Sequence, residues 1–509
     1  MTLGPKPYYW PNSDTVSYGG SPPIATRTGW MAVALLPFVL VLGTKANLIS
    51  ALTGVPHEKL QVFHHWTSYA MFVLALIHTF PFIVYNIQQG EMVSEWNSSV
   101  VYWTGVAALI PQAYLTFMSL PWIRNRYYEF FKATHFLIAL LFILFFFFHC
   151  DFRLTSWDYF IAGGSLYVFS LLTSLIRTHL INGRHTATLS LLPCGLLQIK
   201  IPTIINWTPG QHVFIRFSSP RTGIALHSLT SHPFTICSTS HDVQAANKAN
   251  EMIFYVKPKR GITGRLANIA SKSPGSGHGV LVEGPYGGIE PSNIARSESA
   301  VIISGGSGGG FSLAVFEAAL QMNKTNCCDP NQNIDAAEKR KTIRVVFATQ
   351  SEDVARWYRE QIESLLALHG VGTEGIDVSI HVTGSSYSSP NTNHHLDIER
   401  KEQQPAVKEA RTEESIDPLS SSSEALSETH NADENANTSA SVFAKGRPDL
   451  PRLVASSAES GAGKRVAVFV CGPASMLNDV RNAAAREQER ILRGGSGGEL
   501  YLHSESFSW

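Results

Sequence analysis

The sequence is poor in cysteine and carries no net charge. Six cysteines in 509 residues, at 150, 194, 237, 327, 328 and 471, form no Cys-x-x-Cys pair and no even ladder. That excludes a disulfide framework and a cysteine-built zinc site, and the absence of Cys-x-x-Cys-His excludes covalent haem attachment. Lysine plus arginine equal aspartate plus glutamate at 40 each, so no overall field points to nucleic acid or an acidic partner. The first 28 residues hold no basic segment followed by a short apolar core, and the first hydrophobic span is expected to act as its own membrane signal.

Apolar sequence is concentrated in one region. Five segments, near 29–51, 63–85, 100–120, 133–150 and 157–177, are long and apolar enough to cross a bilayer. Pro37, Pro81 and Pro111 fall inside them, which packed membrane helices tolerate. The loop 121–132 carries Arg124, Arg126 and Lys132, and Arg177 and Arg184 follow the last span. The loops 86–99 and 151–156 hold one basic residue, Arg153, and the sequon Asn97-Ser98-Ser99. Basic loops face the cytosol. Residues 1–28 are therefore expected outside, 29–180 in the membrane and the rest in the cytosol.

Beyond residue 185 short β-like runs such as QHVFIRF and MIFYVK alternate with turns. From about 298 the order becomes strand, glycine loop, helix, strand, the signature of a parallel α/β domain running to 509. Residues 386–445 interrupt it with Ser, Glu, Asn and His and are expected to form a disordered insertion.

Histidines inside the spans carry the most information. His64 and His78 lie 14 residues apart on one span, and His135 and His149 are 14 apart on another. Fourteen helical steps make nearly four turns, so each pair shares a face with about 21 Å between its members. One span intervenes, so the two helices run the same way and His64 levels with His135, His78 with His149. Two levels of facing imidazoles suit two haems stacked across the hydrocarbon. Interhelical hydrogen bonds or a proton path would explain one such histidine, but not the repeated spacing. His65 faces about 100° away and reads as an interface residue; His57 is placed in a solvated cytosolic loop.

In the β region, His232, Pro233, Phe234 and Thr235 offer aromatic, backbone and hydroxyl groups to an isoalloxazine ring. An ordinary strand with a turn fits them equally. Lys259, Arg260, Gly261, Thr263 and Gly264 form a basic glycine-containing loop that opens a helix, a cradle for a pyrophosphate. Gly305, Gly306, Gly308, Gly309 and Gly310 sit where a strand gives way to a helix and let backbone N–H groups approach a diphosphate. Cys471, Gly472 and Pro473 end a later strand, where such sheets bind nucleotides.

Together these residues resemble the fungal ferric/cupric reductases, relatives of the superoxide-generating NADPH oxidases. The HHW…IH and ATH…FHC spans, HPFT, GGSGGG, CGP and the terminal ESFSW carry the resemblance, which covers nearly all the chain outside 1–20 and the insertion. It implies an all-α haem-binding membrane bundle, an antiparallel β-barrel FAD domain over 185–292 and a Rossmann-like NADPH domain of the ferredoxin-reductase type over 298–509. It makes His64, His78, His135 and His149 the iron ligands of two b-type haems. It places Cys471 beside the nicotinamide and makes Phe507 or Trp509 a cover for the flavin. The implied activity is NADPH-dependent reduction of Fe(III) chelates or Cu(II) across the plasma membrane, with iron-uptake oxidase or permease partners. The alternatives are a superoxide-generating oxidase and a truncated, non-catalytic haem protein. The family has a further span ahead of residue 29, so a shortened form is expected. The second strand ends FATQSED, with Arg356 the candidate for a 2′-phosphate.

Overall fold

The computed structural model describes residues 23–153, 155–217, 231–240, 250–259, 261–327, 341–384, 441–460, 464–495 and 498–505. Apolar runs that face lipid must satisfy their backbone internally, and here they do so as helices. These are α1 Pro23–Leu42, α2 Leu48–Thr53, α3 His57–Gln89, α4 Met92–Ser98, α5 Val100–Met118, α6 Pro121–Arg126, α7 Tyr128–Cys150 and α8 Ser156–Ile176. Five stretches are long and apolar enough to cross a membrane: Ile24–Leu42, His57–Gln89, Val100–Met118, Phe130–Cys150 and Ser156–Asn182. The expected first span, 29–51, is in fact two helices. Asn47 separates them: its Nδ2 donates to the Val41 carbonyl at 2.7 Å while its Oδ1 accepts from the Ile49 N–H at 2.8 Å, capping α2.

In the membrane unit α1 packs against α3 and α8, and α5 against α7. Leu36, Met71, Ala108, Phe142 and Phe146 form the buried core there. A π-helical turn, Arg177–Asn182, continues α8 and delivers the chain to the first strand.

The second unit is a six-stranded antiparallel sheet: β1 Arg184–Leu191, β2 Leu197–Thr203, β3 Gln211–Phe217, β4 His232–Thr235, β5 Asn250–Val256 and β6 Ser276–Gly287. Its order is β4-β3-β6-β1-β2-β5. Just past β4, the Cys237 N–H donates to the Ile253 carbonyl of β5 at 2.8 Å, drawing the two edges together into a barrel. Leu197, Ile199 and Ile201 alternate inward with the period of two that a half-buried strand requires. Helix α9, Ile262–Lys272, covers the core with Ile262, Leu266 and Ala270.

After α10, Pro291–Ala295, the third unit is a parallel sheet: β7 Ser299–Gly305, β8 Thr342–Thr349, β9 Ile376–Val382, β10 Ser441–Lys445, β11 Val466–Cys471 and β12 Leu500–Glu505. Its order is β10-β9-β8-β7-β11-β12. Helices α11 Gly309–Cys327, α12 Glu352–His369, α13 Leu450–Ser460 and α14 Ala474–Leu492 cover its two faces. All six residues of β11 are buried, as expected of a central parallel strand. The expected disordered insertion ran to 445, but Ser441–Lys445 pairs with Val378–Val382 of β9. Short apolar content inside a polar context hid this edge strand. Residues 386–440 lie outside the described residues.

Candidate functional site

The two 14-residue pairs meet on α3 and α7. His64 and His135 have ring centroids 6.5 Å apart, and His78 and His149 5.8 Å apart. An iron held between two imidazoles by bonds of about 2 Å places the ring centroids roughly 6 Å apart. Nδ1 of His64 lies 2.9 Å from the Val39 carbonyl, that of His78 2.8 Å from Ala25 and that of His149 2.7 Å from Val101. A carbonyl can only accept, so Nδ1 carries the proton and Nε2 keeps its lone pair, the tautomer a metal ligand needs. Nδ1 of His135 is buried with no hydrogen-bond partner among the described residues. His65 turns away to Arg124, 3.4 Å from its Nη1.

The parallel sheet reverses direction of travel between β7 and β11, the switch point at which such sheets leave a crevice at their C-terminal edge. Gly305 ends β7, and Gly306, at φ +57, turns the chain into Gly308 and α11. A Cβ on Gly308 would lie 2.4 Å from the Cys471 carbonyl, and one on Gly310 would lie 2.3 Å from Cys237 Sγ. Only glycine fits a loop pressed this closely between β11 and the barrel. Below it, Ser304 donates to Ser312 Oγ, and Tyr358, fully buried, shares that oxygen at 2.8 Å. Cys471 ends β11, with Gly472 and Pro473 leading into α14. Burial holds its thiol well above the usual range, reinforced by Glu505 and Cys237, so the group is a neutral apolar wall.

Strand β4 carries His232 to Thr235 paired with Ile215 to His212 of β3; Phe234 turns into the core against Phe254. Lys259 and Thr263 close a tight turn, where the Lys259 N–H donates to Thr263 Oγ1 at 3.0 Å. A Cβ on Gly264 would lie 2.6 Å from the Lys259 carbonyl, and Gly261 caps α9 at φ +94. Arg260, Phe507 and Trp509 lie outside the described residues.

Family models match this chain in three consecutive stretches: a ferric reductase like transmembrane component over 28–146, an FAD-binding domain over 181–290 and a ferric reductase NAD binding domain over 297–485. The probable cell surface ferric reductase kap2 of Aspergillus oryzae is 27% identical over 99% of this chain and 76% of its own length. Ferric/cupric reductase transmembrane component 7 of Saccharomyces cerevisiae is 29% identical over 60% of this chain and 47% of its own. The chain thus carries the three domains of the ferric reductase models in order, and the fungal ferric/cupric reductases it resembles are 24–29% identical to it. It is an oxidoreductase with FAD- and NAD-binding domains behind a membrane unit. A solved ferredoxin reductase, that of carbazole 1,9a-dioxygenase, aligns over 64% of this chain and 68% of its own at 14% identity and a TM-score of 0.35.

The reductase also has a joint that the sequence did not announce. Lys45 Nζ donates to Ser231 Oγ at 3.1 Å and pairs with Glu283 at 3.3 Å, while Lys132 Nζ donates to the Ser231 carbonyl at 3.1 Å. Burial lowers the Lys45 pKa, and Glu283 opposes that shift. Glu283 also accepts from Ser174 at 2.8 Å, and Asn182 donates to the carbonyls of Val282 and Gly284. His57, expected to be solvated, is 3% exposed and opens α3 against Phe214 and Tyr286 of the barrel. The loop assumption failed because the barrel covers it. Glu58 lies 3.2 Å from His57 and 2.9 Å from His212, a donor set that could hold a metal ion. These partners stand up to 238 residues apart, which no local pattern signals.

Proposed function

We propose that this reductase moves electrons from cytosolic NADPH, through FAD and two b-type haems, to Fe(III) or Cu(II) outside the plasma membrane, in support of metal uptake. The observation that carries this reading is the pair of histidine levels. Three of the four imidazoles have Nδ1 turned to a backbone carbonyl, so Nε2 is left for iron. The donor set is neutral nitrogen only, which suits iron in a macrocycle held between helices. Bound flavin takes a hydride and gives up electrons singly, and bound haems pass single electrons on, which a one-electron acceptor requires.

The chain supplies placement. His64 and His135 would hold the inner haem, His78 and His149 the outer one. Thr235 and the β4 backbone would orient the flavin ring, with Lys259, Arg260, Gly261, Thr263 and Gly264 at its pyrophosphate. Gly305, Gly306, Gly308, Gly309 and Gly310 would hold the nicotinamide dinucleotide, with Cys471 as a dry wall at the transfer point. The basic residues Lys132 and Arg177 bond the barrel at Ser231 and Pro285, and Arg124 and Arg126 share the loop with Lys132, which supports a cytosolic barrel.

An anaerobic absorption spectrum of the purified full chain, taken before and after NADPH, tests the reading. Reduced haem bands should appear with bleaching of the flavin. A chain that binds flavin but shows no haem bands would sink it, and ferric reduction abolished by superoxide dismutase would move the acceptor to oxygen.

A further inference from the structure

Glycine inside a helix costs roughly 0.5–1 kcal/mol relative to alanine, so glycines in membrane helices call for a reason. Two of them, Gly29 on α1 and Gly105 on α5, face a histidine, and so does Gly43, the first residue past the end of α1. A Cβ on Gly29 would lie 2.6 Å from His78 Nδ1, and one on Gly105 would lie 2.8 Å from His149 Nδ1. One on Gly43 would lie 3.2 Å from His64 Nδ1. In each case the carbonyl that faces the same nitrogen belongs to the residue four positions earlier: Ala25, Val101 and Val39.

The spacing has a physical cause. A helical side chain leans toward the N-terminus and covers the turn before it, so the residue at i+4 shields the carbonyl at i. Without a Cβ the shield is gone, and the second lone pair of that carbonyl is open to an outside donor. Gly29 on α1 and Gly43 just past its end are 14 residues apart, as His64 and His78 are on the neighbouring α3. Equal steps on two packed antiparallel helices keep both contacts in register.

We infer that Gly29, Gly43 and Gly105 are positioning residues: each bares a backbone carbonyl that grips Nδ1 of a haem-ligating histidine and aims its Nε2 at the iron. The inference rests on the haem reading above. It predicts which haem each glycine serves: Gly29 and Gly105 the outer one, Gly43 the inner one. Losing the grip frees the ring and weakens the imidazole as a donor. The affected haem should then bind roughly 10–100-fold more weakly, and its midpoint potential should rise.

Two other glycines provide controls. A Cβ on Gly163 would lie 2.9 Å from Leu40 Cδ1 and 3.3 Å from Pro37 Cα, a helix-packing clash that touches no histidine, and Gly164 has nothing within 4 Å. The experiment compares Gly29→Ala, Gly43→Ala, Gly105→Ala, Gly163→Ala and Gly164→Ala as purified full-length proteins. Haem-to-flavin ratio, the low-spin ferric resonances and the midpoint potential of each haem are read in each. Gly29→Ala and Gly105→Ala should alter or lose the same haem signal, Gly43→Ala the other. Gly163→Ala should leave both signals in place even where it lowers thermal stability, and Gly164→Ala should change nothing. Should Gly29→Ala fail to accumulate, the milder contact at Gly43 gives the same test at the inner level. Unchanged resonances and potentials in all three histidine-facing variants would overturn the inference, as would an equal effect from Gly163→Ala. A parent protein that carries flavin but no haem would instead overturn the haem reading on which it rests.

Discussion

The outer and inner histidine levels are built alike at three corners and differ at the fourth. At the level proposed to lie outside, His78 and His149 both meet a carbonyl bared by a glycine. At the level proposed to lie inside, His64 does so, but Nδ1 of His135 is buried with no hydrogen-bond partner among the described residues, and its ring is flanked by Phe131 at 5.1 Å and Phe136 at 5.8 Å. Counting along α5, the place matching Gly105 fourteen residues on is 119, as His135 is fourteen before His149. That place is Ser119, whose hydroxyl donates to the Thr116 carbonyl. An unpaired buried N–H costs about 1–3 kcal/mol. The difference teaches that one imidazole of the proposed inner pair, His135, lacks the carbonyl grip of the other three among the described residues and is the freest to turn.

The sharpest way to break the comparison is to remove a ligand from either level. His78→Leu or His149→Leu should keep flavin and one haem that NADPH still reduces anaerobically, while reduction of an impermeant ferric chelate falls to background. His64→Leu or His135→Leu should stop electrons before any haem, leaving reduced flavin and an oxidised outer haem. The reverse pattern would turn the proposed orientation of the membrane unit over.

A smaller effect is expected at the joint, which lies beside the inner level only. Glu283→Gln leaves the half-buried Lys45 without its counter-charge; breaking a fully buried pair costs about 3–5 kcal/mol, and the loss here is smaller because Lys45 reaches solvent. Flavin-to-haem electron transfer should slow, and the thermal midpoint should fall, while the spectrum of the outer haem stays as it was. An outer-haem shift as large as the inner one would show that the two levels are not separable.

Smaller again is the change at the fourth corner. Ser119→Gly should bare the Leu115 carbonyl for His135 and lower the midpoint potential of the inner haem, since a gripped imidazole is the stronger donor. Potentiometry that finds both haems unmoved would mean that the bare corner is bare for another reason. The least effect should come from deleting 386–440, with NADPH-dependent haem reduction within a few-fold of the parent in a rapid-mixing assay. Extending the cut to 445 removes β10 and should cost stability as well.

The histidine pairs were legible because helical geometry converts a repeated 14-residue spacing into two levels with no knowledge of neighbours. The glycine loop and Cys471 were legible as strand-end motifs for a similar local reason. What could not be read required knowing which helices touch. Gly29 and Gly43 repeat the same spacing in plain view, but they acquire meaning only once α1 lies against α3. The joint is further from reach still: Lys45, Ser231 and Glu283 are brought together by the docking of two units. His57 was misplaced for that reason, since a polar loop reads as solvated until something is found to cover it.

The π-helical turn Arg177–Asn182 has one more consequence. It runs from the last membrane helix into β1 with no slack, and Asn182 at its end is tied to β6 through the carbonyls of Val282 and Gly284. Soluble electron carriers must diffuse, collide and separate for every transfer, and their throughput tracks solvent viscosity and concentration. A flavin barrel welded to its membrane bundle has no encounter to wait for. Its internal transfer should run at the same speed in dilute buffer, in glycerol and at any protein concentration, as in a wire of fixed length.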